Sequence, residues 1–304
     1  MEHTFPLVSV AMASFNGAKY IGEQLDTILN QTYKNVEVII VDDCSTDDTV
    51  HIIEHYKAKY PSIRLVQNTV NTGVTKAFEK AFTYCNGVFI AIADQDDIWE
   101  KNKIEILVNG INVEDAVYSN SLLTDEKGNS LKRDFKTIMN LQSYYSGAPL
   151  LLSNCVPGHT ILMKNDFVKT LFPFPGNIMF DRWIGFCAAA NNGIKYIDMA
   201  LVRYRQHDTN TFGTSASKNK SDTKAKQTLF QNKLAELITM ASAPIKNEET
   251  KKILHEMISL FKRKWSLERS IFFFRNRELI LAAKNKAGYR KFLFCCKMFF
   301  KPNF

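Results

Sequence analysis

Along the first hundred residues, short apolar runs alternate with segments whose apolar residues recur at helical spacing. Leu7 to Ala13 is apolar and β-branched and is closed by Ser14, Asn16 and Gly17, which predicts a strand running into a turn. A helix is expected over about 19–30. The run Val36 to Val41 predicts a second strand ending at Asp42 and Asp43, with Ser45 capping a helix that Pro61 stops near Tyr60. Ile63 to Val66 reads as a third strand, Thr72 to Cys85 as a third helix, and Val88 to Ile92 as a fourth strand that reaches the carboxylates Asp94, Asp96 and Asp97. Strand, helix, strand repeated in this way predicts a parallel, doubly wound α/β sheet. Ligands gather at the carboxyl ends of strands in such sheets, here Phe15 to Gly17, Asp42 to Asp43 and Asp94 to Asp97.

From Ala116 to about Arg205 the pattern is irregular. It holds a hairpin candidate at Lys127-Gly128-Asn129, a strand candidate from His159 to Met163 and a helix near Asp181 to Ala190. Beyond the turn-rich stretch Thr209 to Ser221 the apolar period is helical, from Leu229 to Met240 and from Ile253 to Phe274. The reading divides the chain into a main domain at 1–217 and a helical extension at 218–304. No internal repeat is visible.

Charge sharpens that division. Of the +8 net charge on 304 residues, residues 1–217 contribute about −5 and residues 218–304 about +13. From Ala283 to Phe304, Lys284, Lys286, Arg290, Lys291, Lys297 and Lys301 interleave with Tyr289, Phe292, Phe294, Phe299 and Phe300, the composition of an interfacial amphipathic helix. Contact with an anionic membrane surface is therefore expected. The rival readings are an ordinary packed helix and a solvated charged face. With no zinc-finger spacing and no RNA-binding motif, a nucleic-acid partner is not expected.

The six cysteines show no Cys-x-x-Cys pair and no ligand spacing, which fits a reducing compartment. Met1 to Pro6 lacks the features of a signal peptide, and no stretch approaches the roughly 20 apolar residues of a membrane span. A cytoplasmic protein, peripheral on the inner face of the membrane, is the expectation.

Asp94-Gln95-Asp96-Asp97 places three carboxylates in four residues, and these repel one another unless a cation sits among them. Mg²⁺ or Mn²⁺, held by one or two carboxylates and substrate phosphates, is one answer; a helix N-cap at Asp96 or Asp97 is the plain alternative. The loop Ser14-Phe15-Asn16-Gly17 departs from the Gly-x-Gly-x-x-Gly of dinucleotide-binding dehydrogenases.

Taken together, Val8 to Gly17, Val41-Asp42-Asp43-Cys44-Ser45-Thr46-Asp47, Asn71-Thr72-Gly73, Asp94-Gln95-Asp96-Asp97-Ile98-Trp99 and Tyr204-Arg205-Gln206-His207 resemble the family 2 glycosyltransferases of GT-A fold, in the form common among bacterial rhamnosyltransferase-like members. The resemblance covers about residues 5–210. It implies an inverting transfer of a sugar from a nucleoside diphosphate sugar, with a lean to dTDP-rhamnose, onto a glycan or lipid-linked acceptor in bacterial surface polysaccharide synthesis. A non-catalytic nucleotide-sugar binding module of the same fold is the alternative.

By the same resemblance Asp43 accepts a hydrogen bond from the pyrimidine imide, Asp42 supports the loop, and Phe15, Asn16, Asn71, Gly73 and Gln95 surround the donor. Asp94 is implied beside ribose and metal, and Asp96 and His207 as metal ligands. A lone histidine is more often a surface or core residue. Asp181, in Phe180-Asp181-Arg182-Trp183, matches the family's catalytic acidic position, against the alternative of a helix N-cap. His159, in Pro157-Gly158-His159-Thr160, and Trp183 are read on the acceptor side. Gly87-Val88 lacks the acidic residue usual after that glycine.

Overall fold

In this computed structural model, residues 5–207, 223–263, 266–284 and 288–299 are described, with the side chains of 223–227 left aside. Four strands, β1 (Val8–Ser14), β2 (Val36–Asp42), β3 (Ile63–Gln67) and β4 (Phe89–Ala93), pair in parallel in the order β3-β2-β1-β4. The helices α1 (Ile21–Leu29), α2 (Thr49–Lys59) and α3 (Val74–Thr83) connect them. The run that predicts each strand is buried because both sheet faces are covered; Val10, Met12, Ile40 and Ile92 are fully enclosed.

The sheet then departs from the all-parallel expectation. After β5 (Ile98–Trp99) and α4 (Lys103–Gly110) come β6 (Ala116–Thr124), β7 (Ser130–Asp134), α5 (Phe135–Ile138), β8 (Ile161–Lys164), α6 (Asn165–Lys169), α7 (Phe180–Ala189) and β9 (Ile194–Arg205). The full order is β3-β2-β1-β4-β8-β6-β9-β5, with β7 on β6; β8 runs antiparallel to β4 and β6, while β6 and β9 are parallel. The stretch read as irregular thus holds two of the longest strands. Around Asp125 to Asn129 the hairpin turns as expected, with Asp125 Oδ1 accepting from the backbone of Lys127 and Asn129.

Ser45 does not cap the second helix. Its hydroxyl donates to Asp42 Oδ1 at 2.6 Å, and the helix starts later, at Thr49. Nor do Asp96 and Asp97 cap a helix, because β5 follows them and pairs with β9.

The extension comprises α8 (Thr223–Ala241), α9 (Glu248–Phe261), α10 (Leu267–Arg275), α11 (Arg277–Ile280) and α12 (Gly288–Lys297). Leu237, Leu254, Phe261, Phe273, Leu281, Cys295 and Met298 are enclosed and join the same apolar core as Val156, Ile184 and Phe186 of the main domain. Arg269, fully buried, donates to the carbonyls of Leu260, Arg263, Met298 and Phe299 and so ties the segment after α12 to α9. Among the described residues no helix is long and apolar enough to cross a membrane.

Candidate active site

The carboxyl ends of β1, β2 and β4 open on one cavity of about 640 Å³. Its first wall is made of loops that hold one another. Asn16, in the left-handed region at φ 48°, accepts from Thr46 N at 2.8 Å through Oδ1, and its own N–H donates to Ser45 Oγ at 2.9 Å. Gln95 spans back to Phe15, its Oε1 accepting from Phe15 N at 2.9 Å and its Nε2 donating to Phe15 O at 3.0 Å. A Cβ on Gly17 would stand 2.1 Å from Gln95 Oε1, so only glycine admits this brace. Asp42 is buried and accepts from Ser14 Oγ, Ser45 Oγ and Ser45 N. It supports the loop, as expected, and does not line the cavity, so it is no direct donor contact.

Asp43 does line the cavity. Oδ1 accepts from Asn68 Nδ2, Thr72 N and Thr72 Oγ1 at 2.7 to 2.9 Å, and Oδ2 accepts from Gly73 N at 2.7 Å. Burial raises its pKa, but these donors together outweigh burial and hold it below the usual carboxylate value. Asn71 and Gly73 close the same edge; Gly73 sits at φ 84°, which suits glycine where Asp43 draws the loop in.

Asp94, Gln95 and Asp96 form the floor. Asp94 is 37% exposed to the cavity and otherwise surrounded by protein. Burial first, then the charges of Asp96 and Asp181, push it up to about 7 against the pull of Lys103. Asp96 Oδ2 lies 2.9 Å from His207 Nε2, whose ring stacks on Tyr20 at 4.9 Å. Arg205 fixes the Asp96-Asp97 peptide by donating from Nε to Asp96 O at 2.9 Å and from its backbone N–H to Asp97 Oδ1 at 3.3 Å.

A second grouping lies beneath, where ligand atoms of Asp94, Asp97 and His159 fall within 4.8 Å of one another. Asp97 is fully enclosed, its Oδ2 has no hydrogen-bond partner among the described residues, and burial with its acidic neighbours raises its pKa well above the usual range. Lys103 serves this lower cluster from inside. Its ammonium is also fully buried, donates to His159 O at 2.7 Å and sits 3.3 Å over the Trp99 ring. Burial lowers the Lys103 pKa well below its ordinary value, against the pull of Asp97 and Asp94. Asp94, Asp96 and His207 line the cavity above and offer two carboxylates and an imidazole. Carboxylate oxygens with one imidazole nitrogen fit Mg²⁺ or Mn²⁺.

His159 stacks on Tyr204 at 4.7 Å and shares a hydrogen bond with Ser121 Oγ at 2.9 Å; burial, then Lys103, lowers it to about 3, so the ring is neutral. Beside it, a Cβ on Gly158 would meet Asp181 Cβ at 3.1 Å. Asp181 lies in the first turn of α7 and does not cap it: Oδ2 accepts from Asn154 Nδ2 at 2.9 Å and Oδ1 from Arg182 N at 2.6 Å. Burial raises it to about 6 against the opposing pull of those donors and of the Arg182 charge. Trp183 points the other way. Its indole is in the core, donating to Leu171 O at 3.3 Å, and it does not line the cavity, which removes it from the acceptor side.

Over residues 9–185 the chain matches the family model described as Glycosyl transferase family 2. The chain belongs to glycosyltransferase family 2. Relatives in that family include the UDP-Glc:alpha-D-GlcNAc-diphosphoundecaprenol beta-1,3-glucosyltransferase WfaP of Escherichia coli, 31% identical over 66% of this chain and 78% of its own. The dTDP-rhamnosyl transferase RfbG of Shigella flexneri is 29% identical over 68% of this chain and 75% of its own. Among solved structures, S. aureus TarS 1-349 with UDP-GlcNAc superposes with a TM-score of 0.61 at 19% identity, covering 91% of this chain and 81% of that one. The Pyrobaculum calidifontis mannosyltransferase PcManGT with GDP-Man and Mn²⁺ gives 0.56 at 22%, covering 95% and 79%. The fold is that of the GT-A glycosyltransferases.

The structure therefore gathers Phe15, Asn16, Asp43, Asn71, Gly73, Asp94, Gln95, Asp96, His159, Asp181 and His207 of this family 2 chain around one cavity, and excludes Asp42 and Trp183. Lys103, Asn154 and Tyr204 join the site through the tertiary fold. Tyr204 stands inside a quoted motif; nothing in the sequence marks Lys103 or Asn154.

Proposed function

We propose that this family 2 glycosyltransferase carries out an inverting, divalent-cation-dependent transfer from a nucleoside diphosphate sugar to a hydroxyl of a glycan or lipid-linked acceptor, in the assembly of a bacterial surface polysaccharide. One observation carries the reading: Asp181, a carboxyl made more basic by burial and steadied by Asn154, lines the same cavity as Asp94, Asp96 and His207.

In this reading Asp43 receives the N–H of the nucleobase and the loops of Phe15, Asn16, Asn71 and Gly73 enclose the nucleoside. Asp94, Asp96 and His207 would hold Mg²⁺ or Mn²⁺, and such an ion would supply positive charge to the departing diphosphate. Asp181 takes the proton of the acceptor hydroxyl as its oxygen attacks the anomeric carbon, so that the bond to the diphosphate breaks on the opposite face. Neutral His159 keeps the cavity free of a competing cation.

Of the four named relatives and structures, two name UDP-sugars, one a dTDP-rhamnosyl transfer and one GDP-Man, which supports a pyrimidine nucleotide donor, dTDP-rhamnose among the candidates. A lipid-linked acceptor would place the protein peripherally on the inner face of the membrane. The alternative, a binding module without transfer, has no use for a carboxyl of raised basicity at position 181.

A screen of UDP-, dTDP- and GDP-sugars for donor hydrolysis, with Mn²⁺ and with EDTA, tests the proposal. Cation-dependent release of one sugar by the native chain and its loss in Asp181→Asn are expected. Binding of a donor with no hydrolysis or transfer under any condition would favour the binding module.

A further inference from the structure

Two exposed apolar stripes meet on the extension. On α10, Leu267 and Ile271 stand one turn apart and are 63% and 41% exposed. On α12, Tyr289, Phe292 and Leu293 follow the same helical spacing at 62%, 55% and 50%. The stripes join where the rings of Phe274 and Phe292 touch at 5.1 Å, edge to face. The helices themselves are fixed on their inner sides, with Phe273 against Phe294 at 5.7 Å and Cys295 and Met298 enclosed. Apart from Phe292, which meets Phe274, the exposed side chains are therefore not what packs α10 on α12.

Charge around these stripes is mainly basic. Arg275, Arg290 and Lys297 are exposed beside them. The two acidic residues on these helices and α11 are engaged elsewhere, Glu268 with Arg263 and Glu278 with Arg277 and Lys291.

We propose that α10 and α12 together form a surface that docks on an anionic lipid bilayer, Leu267, Ile271, Phe292 and Leu293 entering the interface while Arg275, Arg290 and Lys297 meet lipid phosphates. This deepens the reading of a membrane-apposed transferase and rests on it. An apolar stripe flanked by cations is what a charged leaflet selects, since the two contributions act on one surface. A second copy of the chain would bring the same cations against these and be repelled. Nucleic acid would satisfy the cations but gains nothing from aliphatic Leu267, Ile271 and Leu293, which offer no base-stacking face. The tail helix alone, as the sequence displays it, supplies half of the surface; Phe294, one of its aromatics, is turned inward, and α10 supplies the other half.

The test is sedimentation of the full chain with vesicles of phosphatidylcholine alone and of an equal mixture with phosphatidylglycerol. Three variants accompany it, each checked for an unchanged melting transition: Leu267→Ser with Ile271→Ser, Phe292→Ser with Leu293→Ser, and Arg275→Glu with Lys297→Glu. The native chain is expected to pellet with the mixed vesicles and much less with phosphatidylcholine. Each apolar pair should lower partitioning by at least about tenfold, and the charge pair by about twenty-fivefold or more at low salt. If the native chain does not pellet with either vesicle, the membrane reading itself is overturned. If it pellets and the α12 pair matters while the α10 pair does not, the membrane reading stands and the two-helix surface is wrong. Equal pelleting with both vesicles would overturn the role of the cations. Since truncation would remove the enclosed Cys295 and Met298, point substitutions at exposed positions separate docking from folding.

Discussion

Arg182 of α7 and Glu236 of α8 face each other, Arg182 Nη1 donating to Glu236 Oε2 while Nη2 holds Leu151 O at 2.7 Å. Lys233 donates to the same Glu236 oxygen at 3.0 Å, and burial lowers its pKa to about 8 with Arg182 adding to the effect. Arg182 is the residue after Asp181, so Glu236 ties α8 to the first turn of α7, while Lys246 N and Asn247 N hold its far end at Ala190 O. Glu236→Ala leaves the Arg182 and Lys233 donors without this acceptor in a largely buried place and is expected to cost about 1–3 kcal/mol in chemical denaturation. Glu236→Gln, which keeps a hydrogen-bond acceptor, should fold normally yet lower the turnover number by roughly tenfold with the donor KM little changed. Unaltered kinetics in the Gln variant would leave this pair a purely structural tie.

Turnover should require a divalent cation. Adding Mn²⁺ at about 100 times its dissociation constant is expected to stabilise the native chain by about 2.7 kcal/mol, measured by denaturation with and without EDTA. Asp96→Asn should remove both this stabilisation and activity. Full activity in excess EDTA would exclude the proposed cation site.

Asp181→Asn is expected to retain donor affinity and lose about two to four orders of magnitude in transfer rate. Its pH profile gives a second reading. A base acts only when ionised, and burial raises this carboxyl to about 6, so turnover should rise with pH and level off above about 6. An unshifted aspartate would give that limb near 4. Disappearance of the limb in the Asn variant, with the remaining rate flat, is the expected companion result.

Gly17 and Gln95 should behave as one unit. A methyl at position 17 displaces the Gln95 amide from Phe15. Gly17→Ala and Gln95→Ala are each expected to weaken donor binding by about 1 kcal/mol, and the double variant to be no worse than either single one. Additive losses in a donor titration would show that Gln95 contributes by some route other than this brace.

Much of this arrangement is legible in the chain because apolar runs ending in Asp42-Asp43 and Asp94-Asp97 can be read as strands with their chemistry at one end. The strands β6 and β9 escape such a reading. Ser119, Asn120, Ser121 and Thr124 are buried within β6, satisfied by specific partners, so neither alternation nor an apolar run marks it. Lys103 reads as a surface lysine on a helix, and only the tertiary fold shows Trp99 beneath its ammonium and His159 O within reach. Trp183 could have been placed from the start. Residues two apart on a helix point away from each other, so if Asp181 faces the cavity, Trp183 faces the core. The basic, aromatic tail shows its composition but not its sides, and packing alone separates inward Phe294 from outward Phe292.

The loops around Asp43, Asn16 and Gln95 are cross-linked by their own hydrogen bonds. Their entropy is lost when the chain folds, so a nucleotide arriving there has little left to order. Calorimetry should accordingly find donor association with only a small unfavourable entropy and a heat-capacity change no larger than the apolar area the donor itself covers. In that sense the donor half of the cavity is built as a mould rather than a clasp, and changes of donor preference are expected to come from altering its shape rather than its mobility.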